Sequence, residues 1–474
     1  MSKKIHRLFV LISIVMLSFA YGFLSHQLQV FPYHLIEEAR IAYKALIELS
    51  SDHSKKKGPG IGIRLDRVGV GGASPVNFWE KSSLKKPKTI ILSQDAGVEN
   101  ILYLGNELAH RDLCPEAGCL AWIADREGNI LHAWKNIPDL WTPLKDRAAI
   151  AGTWRVYPMC AYLYPNGDIL VSYQGNNIFP YPMGLAKFDK DSKLLWKRNG
   201  YYHHWFSVDD EGKIYVPGAT IVDSPLYVKG YTFIKCKKKH FQYETVVMLD
   251  SGGNKIKEID TYKALIESDL TGVFINYEKN FFAIETCDPM HLNDVRVLSQ
   301  KMAHKFPRFE PGDLLLSFRS INSIGVLDPD TSLFKWFYVG AVQYQHSPRF
   351  YGDNQILVFD NLGGSSKDNP SRVAAIDISS GHAHTVFPRK NIKIPPRYFF
   401  SETSGHIDLH ADQKRMLVSW THQGLVWEID IESGEVLWEY INTHPVENRF
   451  GRLPVYTAIY VNKLDFPLNR GELP

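Results

Sequence analysis

The sequence has no CxxC pair, no glycine-rich stretch ending in the Lys-Ser/Thr of a P-loop, and no surplus of one charge. The first absence excludes a zinc ribbon. The second leaves "VGVGGAS", beginning at Val68, without its phosphate-binding lysine and without a clear strand–helix context. The third removes the electrostatic case for a nucleic-acid partner, since 54 basic residues stand against 51 acidic ones for a net charge of +3. Cysteine is scarce too. Of the five, Cys114 and Cys119 in "CPEAGC" are close enough to bridge across a tight loop in an oxidising compartment. The odd count leaves at least one thiol free.

Long apolar runs are confined to the N-terminus. The basic "MSKKIHR" precedes an uncharged run of 17 residues from Leu8 to Leu24. That length is short for a membrane span and long for a signal-peptide core. An uncleaved anchor is the favoured reading, because the amphipathic "HLIEEARIAYKALIEL" follows as a plausible stem. Charge placement then predicts a cytoplasmic tail at 1–7, an anchor or signal at 8–24 and a stem with a short pre-propeller segment at 25–94. The main domain, 95–474, is expected in the periplasm or another extracytoplasmic space.

What the chain has in quantity is strand-forming sequence. Aromatic residues make up 13% and hydrophobic residues 45%. From about residue 95 a unit recurs: a strand, a turn, an apolar strand, a strand ending in Asp, a second turn, and a strand often closing on Trp. "HADQKRMLVSWTHQGLVWEIDIESGEVLWEY", from His410, is the clearest of six copies. Short strands repeating at about 40–60 residues predict propeller blades, which bury their faces by stacking on one another. The fold class expected is therefore all-β, a six-bladed β-propeller with an N-terminal transmembrane helix. "VYTAIYV", from Val455, is a spare strand able to close the ring on the first blade. A β-sandwich with insertions would not explain the shared Asp–turn–Trp phrase.

Just upstream of the first turn, four consecutive copies carry histidine: His203 and His204, then His291 with Asn293, then His346, then His406 and His410. Taken singly, each histidine reads as a buried side chain bonded to backbone. Taken together, they occupy the slot where inner strands converge on a central channel. Arg319, inside the apolar "LLLSFRS", is costly unless it is paired, for example with Asp294, or faces a polar cavity. An arginine among neutral imidazoles, with no carboxylate evident in the column, describes a site for sulfate, phosphate or carboxylate.

At these residues the chain resembles the bacterial arylsulfate sulfotransferase family from about residue 95 to 462. The strongest patches are "HHWFSVDDEGKIYV", "DPMHLNDVRVL", "GDLLLSFRSINSIGVLD" and "QHSPRFYGDNQILVFDN". The resemblance implies a six-bladed propeller that moves a sulfuryl group from a phenolic sulfate ester to another phenol. The route runs through a sulfated histidine, without the nucleotide donor PAPS or any other cofactor. By motif, His346 matches the sulfated histidine, His291 and Asn293 the H-x-N pair, and Arg319 the sulfate-binding arginine. His203 or His204 matches a further channel histidine. The chemistry suits these residue types: neutral imidazole is a competent nucleophile, and fixed donors stabilise charge spreading over sulfate oxygens. His203 or His204 is the candidate acid and base, and His406 a candidate substrate-binding residue. The small-molecule partners expected are an aryl sulfate donor and a hydroxyl acceptor. Two rivals stand beside this reading. One is a metal-dependent propeller lyase or hydrolase using three histidines. The other is a non-catalytic, membrane-tethered propeller that binds an anionic ligand.

Overall fold

Each repeat folds into a four-stranded antiparallel sheet, and six such sheets form a β-propeller. The computed structural model describes residues 3–28 and 80–468, apart from 106–107, 138–139, 141–155, 176–181, 229–230, 235–239, 279–286, 362–370, 390–400, 402 and 447–448. Blades 2 to 5 follow the chain from Val156 to Asn199, Ser207 to Asp260, Leu292 to Val339 and His346 to Phe387. Blade 6 runs from His406 to Ile441, and Lys88–Ile91 adds a fifth, outermost strand to it. Blade 1 takes Ile101–Leu104, Cys119–Ala124 and Ile130–Lys135, and receives its innermost strand, Ala458–Tyr460, from the other end of the chain. Both ends of the domain thus close the ring, each on the blade nearest the opposite terminus.

The recurrent Asp before the second turn has a local cause. In the hairpins joining third and fourth strands, the Asp side chain accepts backbone N–H groups two to four residues on. Asp125 accepts from Glu127 and Asn129, Asp189 from Asp191 and Lys193, Asp250 from Asn254, Asp377 from Ser380 and Asp430 from Ser433. Such Asx turns satisfy donors that the hairpin would otherwise leave bare.

The core is divided among the blades. One cluster packs Leu357, Phe359 and Val373 of blade 5 against Ile407, Met416 and Trp427 of blade 6. Another packs Leu316 and Phe318 of blade 4 against Tyr215 and Val246 of blade 3. Leu315, next to Leu316 on the same strand, joins blade 5 instead. Strands buried on both faces therefore read as continuous apolar runs such as Leu314–Phe318, which is fully buried.

At the N-terminus Lys3–Leu28 is helical, but among the described residues no helix is long and apolar enough to cross a membrane. The transmembrane anchor expected at 8–24, and the membrane partner that goes with it, are not supported. The uncharged run covers only 17 of the helix's 26 residues, at the lower limit for a span, and Lys3, Lys4 and Arg7 precede it. The stem beyond Leu28 and the "VGVGGAS" stretch lie outside the described residues. Cys114 and Cys119 are bridged, with Cα atoms 5.2 Å apart. Cys160 is a free, buried thiol. Cys287 is also disulfide-bonded, and Cys236 lies outside the described residues.

A buried histidine–arginine cluster as the candidate active site

Inner strands of blades 3 to 6 begin with a backbone kink. His204, His291 and Ser347 hold φ values of 53°, 54° and 54°, and Gly405 holds 114°. Left-handed backbone at a residue other than glycine is a local strain of about 1–2 kcal/mol, and it accumulates at functional sites. At Gly405 a side chain is impossible for a second reason, since a Cβ would stand 2.8 Å from the Phe359 ring. Inner-strand bulges follow in blade 4, between Leu292 and Asp294, and in blade 5, between His346 and Arg349. A bulge re-aims the side chains beside it.

These kinks gather His203, His204, His291, His346 and Arg319, all at most 8% exposed. His203 Nδ1 lies 2.6 Å from His204 Nδ1. The ring of His204 meets that of His291 edge-on at 4.8 Å. Arg319 hangs its backbone N–H on the His291 carbonyl and lays its guanidinium 4.6 Å over the Tyr344 ring. His203, His204 and His346 are held neutral. Burial, then the neighbouring His291, His203, His346 and Arg319, keep His204 well below the ordinary imidazole range. Burial, then Arg319, do the same to His346. Burial pushes His203 down to about 4.

His346 is fixed more tightly than its neighbours. Its Nδ1 lies 2.7 Å from Asn361 Oδ1. The Asn361 amide nitrogen donates to the carbonyls of Ser401 and Ser404, at 2.9 and 2.6 Å, so the amide oxygen is the atom turned to the ring. Nδ1 therefore carries the hydrogen, and Nε2 keeps its lone pair. The residues around His346 wedge three blades together. Gln345 Nε2 donates to Ser317 Oγ and to the Phe318 and Ser323 carbonyls of blade 4. Ser347 Oγ accepts the Ile407 N–H of blade 6 at 2.8 Å.

Removing Asn361 tests this geometry. Asn361→Leu frees Nδ1 to lose its hydrogen and should slow any chemistry at Nε2 by about 10²-fold or more, as wrong-tautomer variants do. Single-turnover kinetics measures it; a change under threefold would mean that the tautomer is fixed by other groups.

The remaining sequence candidates divide. Asn293 ties blade 4 to blade 5 through its Nδ2, which donates to the Gln345 carbonyl at 2.8 Å, while its buried Oδ1 has no hydrogen-bond partner among the described residues. His406, like His346, packs near Trp205, with ring centroids 6.3 Å apart against 5.8 Å for His346. There its Nε2 lies 2.8 Å from Arg349, in a second network with Asp294 and Arg296. Asp294 is thus taken by Arg296 and Arg349. His410 is drawn away altogether, to Glu99 and Asp412 at the seam between blades 6 and 1. A carboxylate does enter the column, contrary to the sequence reading: Asp288 Oδ2 lies 2.5 Å from His291 Nδ1. The Asp-x-x-His spacing of "DPMH" was the available signal. Asn361 gave none, since it lies 15 residues past His346, beyond the next strand.

Residues 161–443, more than half of the sequence, match the arylsulfotransferase (ASST) family. The chain belongs to that family. The family implies small aryl sulfates and phenols as substrates. No curated protein matches the sequence. Among solved structures, a Bacteroides caccae protein of unknown function is similar at 11% identity and a TM-score of 0.43, over 77% of this arylsulfotransferase and 98% of its own chain. Virginiamycin B lyase from Staphylococcus aureus is similar at 11% identity and a TM-score of 0.33, over 59% and 69% of the two chains. The C-terminal WD40 domain of Sif2 scores 0.36 at 11% identity, over 79% and 97%. At these scores the likenesses carry no argument.

Proposed function

We propose that the protein transfers a sulfuryl group from a phenolic sulfate ester to a phenol or other hydroxyl acceptor, in two displacements through sulfated His346. The observation that carries the reading is the His346–Asn361 hydrogen bond, which leaves an unprotonated Nε2 beside a buried cation. Nε2 attacks sulfur, the N–S bond forms, and the S–O bond breaks with its electron pair going to the phenolic oxygen. In the second half an acceptor oxygen attacks the same sulfur, and the N–S pair returns to Nε2. Arg319, stiffened on Tyr344, lies where a planar fork would hold sulfate oxygens as charge spreads over them.

Two displacements require ping-pong kinetics. With 4-nitrophenyl sulfate and phenol, double-reciprocal plots should be parallel, and the protein mixed with donor alone should gain about 80 Da, one SO₃ unit. Intersecting lines without an adduct would end the covalent scheme. Among the described residues no three His, Cys, Asp or Glu side chains are grouped to hold a metal. A metal-dependent lyase would be silenced by a chelator, and this transferase would not. We also place the propeller outside the cytoplasm, a location that the Cys114–Cys119 bridge supports.

A further inference from the structure

Beside His291 lie two buried carboxyl groups that the transfer scheme does not use. Asp288 sits three residues before His291, with Oδ2 on its Nδ1 at 2.5 Å. Glu244 comes from the strand His240–Leu249 of blade 3. Neither is more than 1% exposed. Glu244 Oε2 accepts the Leu292 N–H at 2.7 Å, and Oε1 accepts Gln242 Nε2 at 3.2 Å. These bonds hold the Glu244 carboxyl within hydrogen-bonding reach of Asp288. Asp288 Oδ1, though buried, receives no N–H or hydroxyl hydrogen.

Two touching carboxyls in a dry site cannot both ionise, and sharing one proton satisfies both. Burial, then Asp288, push Glu244 far above the carboxylate range. Burial works to raise Asp288 too, but His291, His203 and Arg319 hold it below its ordinary value. Of the pair, Glu244 is thus the one that keeps the shared proton.

We infer that Glu244, Asp288 and His291 form a relay in which neutral Glu244 pins ionised Asp288, and Asp288 orients His291 as the acid and base of the transfer. The inference rests on the sulfotransferase reading. The relay requires His291 to hold two protons when the donor binds, with its Nδ1–H donating to Asp288. As His346 Nε2 bonds to sulfur and the S–O bond breaks, the His291 Nε2 proton passes to the departing oxygen, and neutral phenol leaves. The acceptor then gives its hydroxyl proton to His291 as its oxygen takes the sulfuryl group, which restores both histidines. His291 is thus a catalytic residue; Asp288 and Glu244 are positioning residues. Delivery of a proton extends the substrate class to sulfates of unactivated phenols, which ionise near pH 10 as tyrosine does. A good leaving group such as 4-nitrophenolate needs no such help.

The experiment pairs full-length Asp288→Asn and Glu244→Gln with wild type on 4-nitrophenyl and phenyl sulfate. Asp288→Asn should lose about 10²–10³-fold on phenyl sulfate and less than tenfold on 4-nitrophenyl sulfate. Equal losses on both donors would overturn the relay. In Glu244→Gln the amide still donates to Asp288 but cannot share a proton with it, so turnover of phenyl sulfate should fall by about threefold to tenfold, and that of 4-nitrophenyl sulfate by less. A shift of its acid limb by about one unit, set against the facing groups Asp288, His291, His203 and Arg319, would mean that Glu244 is ionised and the relay wrong. Proton NMR supplies a readout independent of turnover. A far-downfield Nδ1–H signal should appear in wild type and Glu244→Gln and vanish in Asp288→Asn. If the signal behaves so while no aryl sulfate is turned over, the relay stands and the sulfotransferase reading falls. Absence of the signal in wild type overturns the relay itself.

Discussion

His346→Ala is expected to give no 80-Da adduct and to lose on the order of 10⁴–10⁶-fold in turnover, the scale on which removal of a covalent nucleophile is felt. The loss should be the same for good and poor leaving groups, because without Nε2 neither half-reaction has a nitrogen to bond sulfur. This separates it from Asp288→Asn, whose effect depends on the donor. Folding should survive, since the ring's one side-chain hydrogen bond is to Asn361, and Asn361 stays tied to Ser401 and Ser404. Denaturant unfolding would show a near-wild-type midpoint beside the dead activity. An adduct persisting in the variant would move the nucleophile to another imidazole, with His204 the nearest candidate.

The second large effect is predicted far from the chemistry. Glu428, on blade 6, is buried completely at the closing seam. Its carboxylate takes Arg126 at 2.8 Å and Arg415 at 3.1 Å, and accepts the Tyr460 hydroxyl and the Gly97 N–H. Arg126 comes from blade 1 and Tyr460 from its C-terminal strand, so one carboxylate ties both chain ends to blade 6. Glu428→Ala leaves two arginines facing each other without their shared anion. Breaking a buried pair in this way costs about 3–5 kcal/mol. Chemical denaturation measures it. A loss below about 1 kcal/mol would show that Glu99, which also contacts both arginines, neutralises them unaided.

Much of the fold was legible because its repeat is written in short-range chemistry. The Asp of each outer hairpin marks its own turn, and the doubly buried strands show as unbroken apolar runs. The channel histidines were legible for the same reason, as they recur at one place in the repeat. What the repeat hides is register. The bulges in blades 4 and 5 shift the pairing, and His346 and His406, equivalent in the sequence, end with different partners, Asn361 and Arg349. Partnership across the sheet is hidden as well. Asn361, Glu244 and the Arg349–Asp294 pair meet their partners only after hairpins close and blades stack. The apolar N-terminal run is a strong local signal at the lower limit of length for a span, and no described helix is long and apolar enough to cross a membrane.

The ring is fastened by strands from its two ends, and this sets an order of events for a newly made chain. Ile101–Leu104 meets Ala458–Tyr460, and Lys88–Ile91 meets Val436–Ile441, across nearly the whole length of the domain. Contacts so distant in sequence form late and slowly. While the C-terminal strand is still on the ribosome, blade 1 lacks its inner edge, and the buried seam around Glu428 has no partner in Tyr460. An incomplete chain is therefore an open arc whose exposed strand edges are free to pair with other chains. Only when the last strand arrives does the channel acquire its full wall.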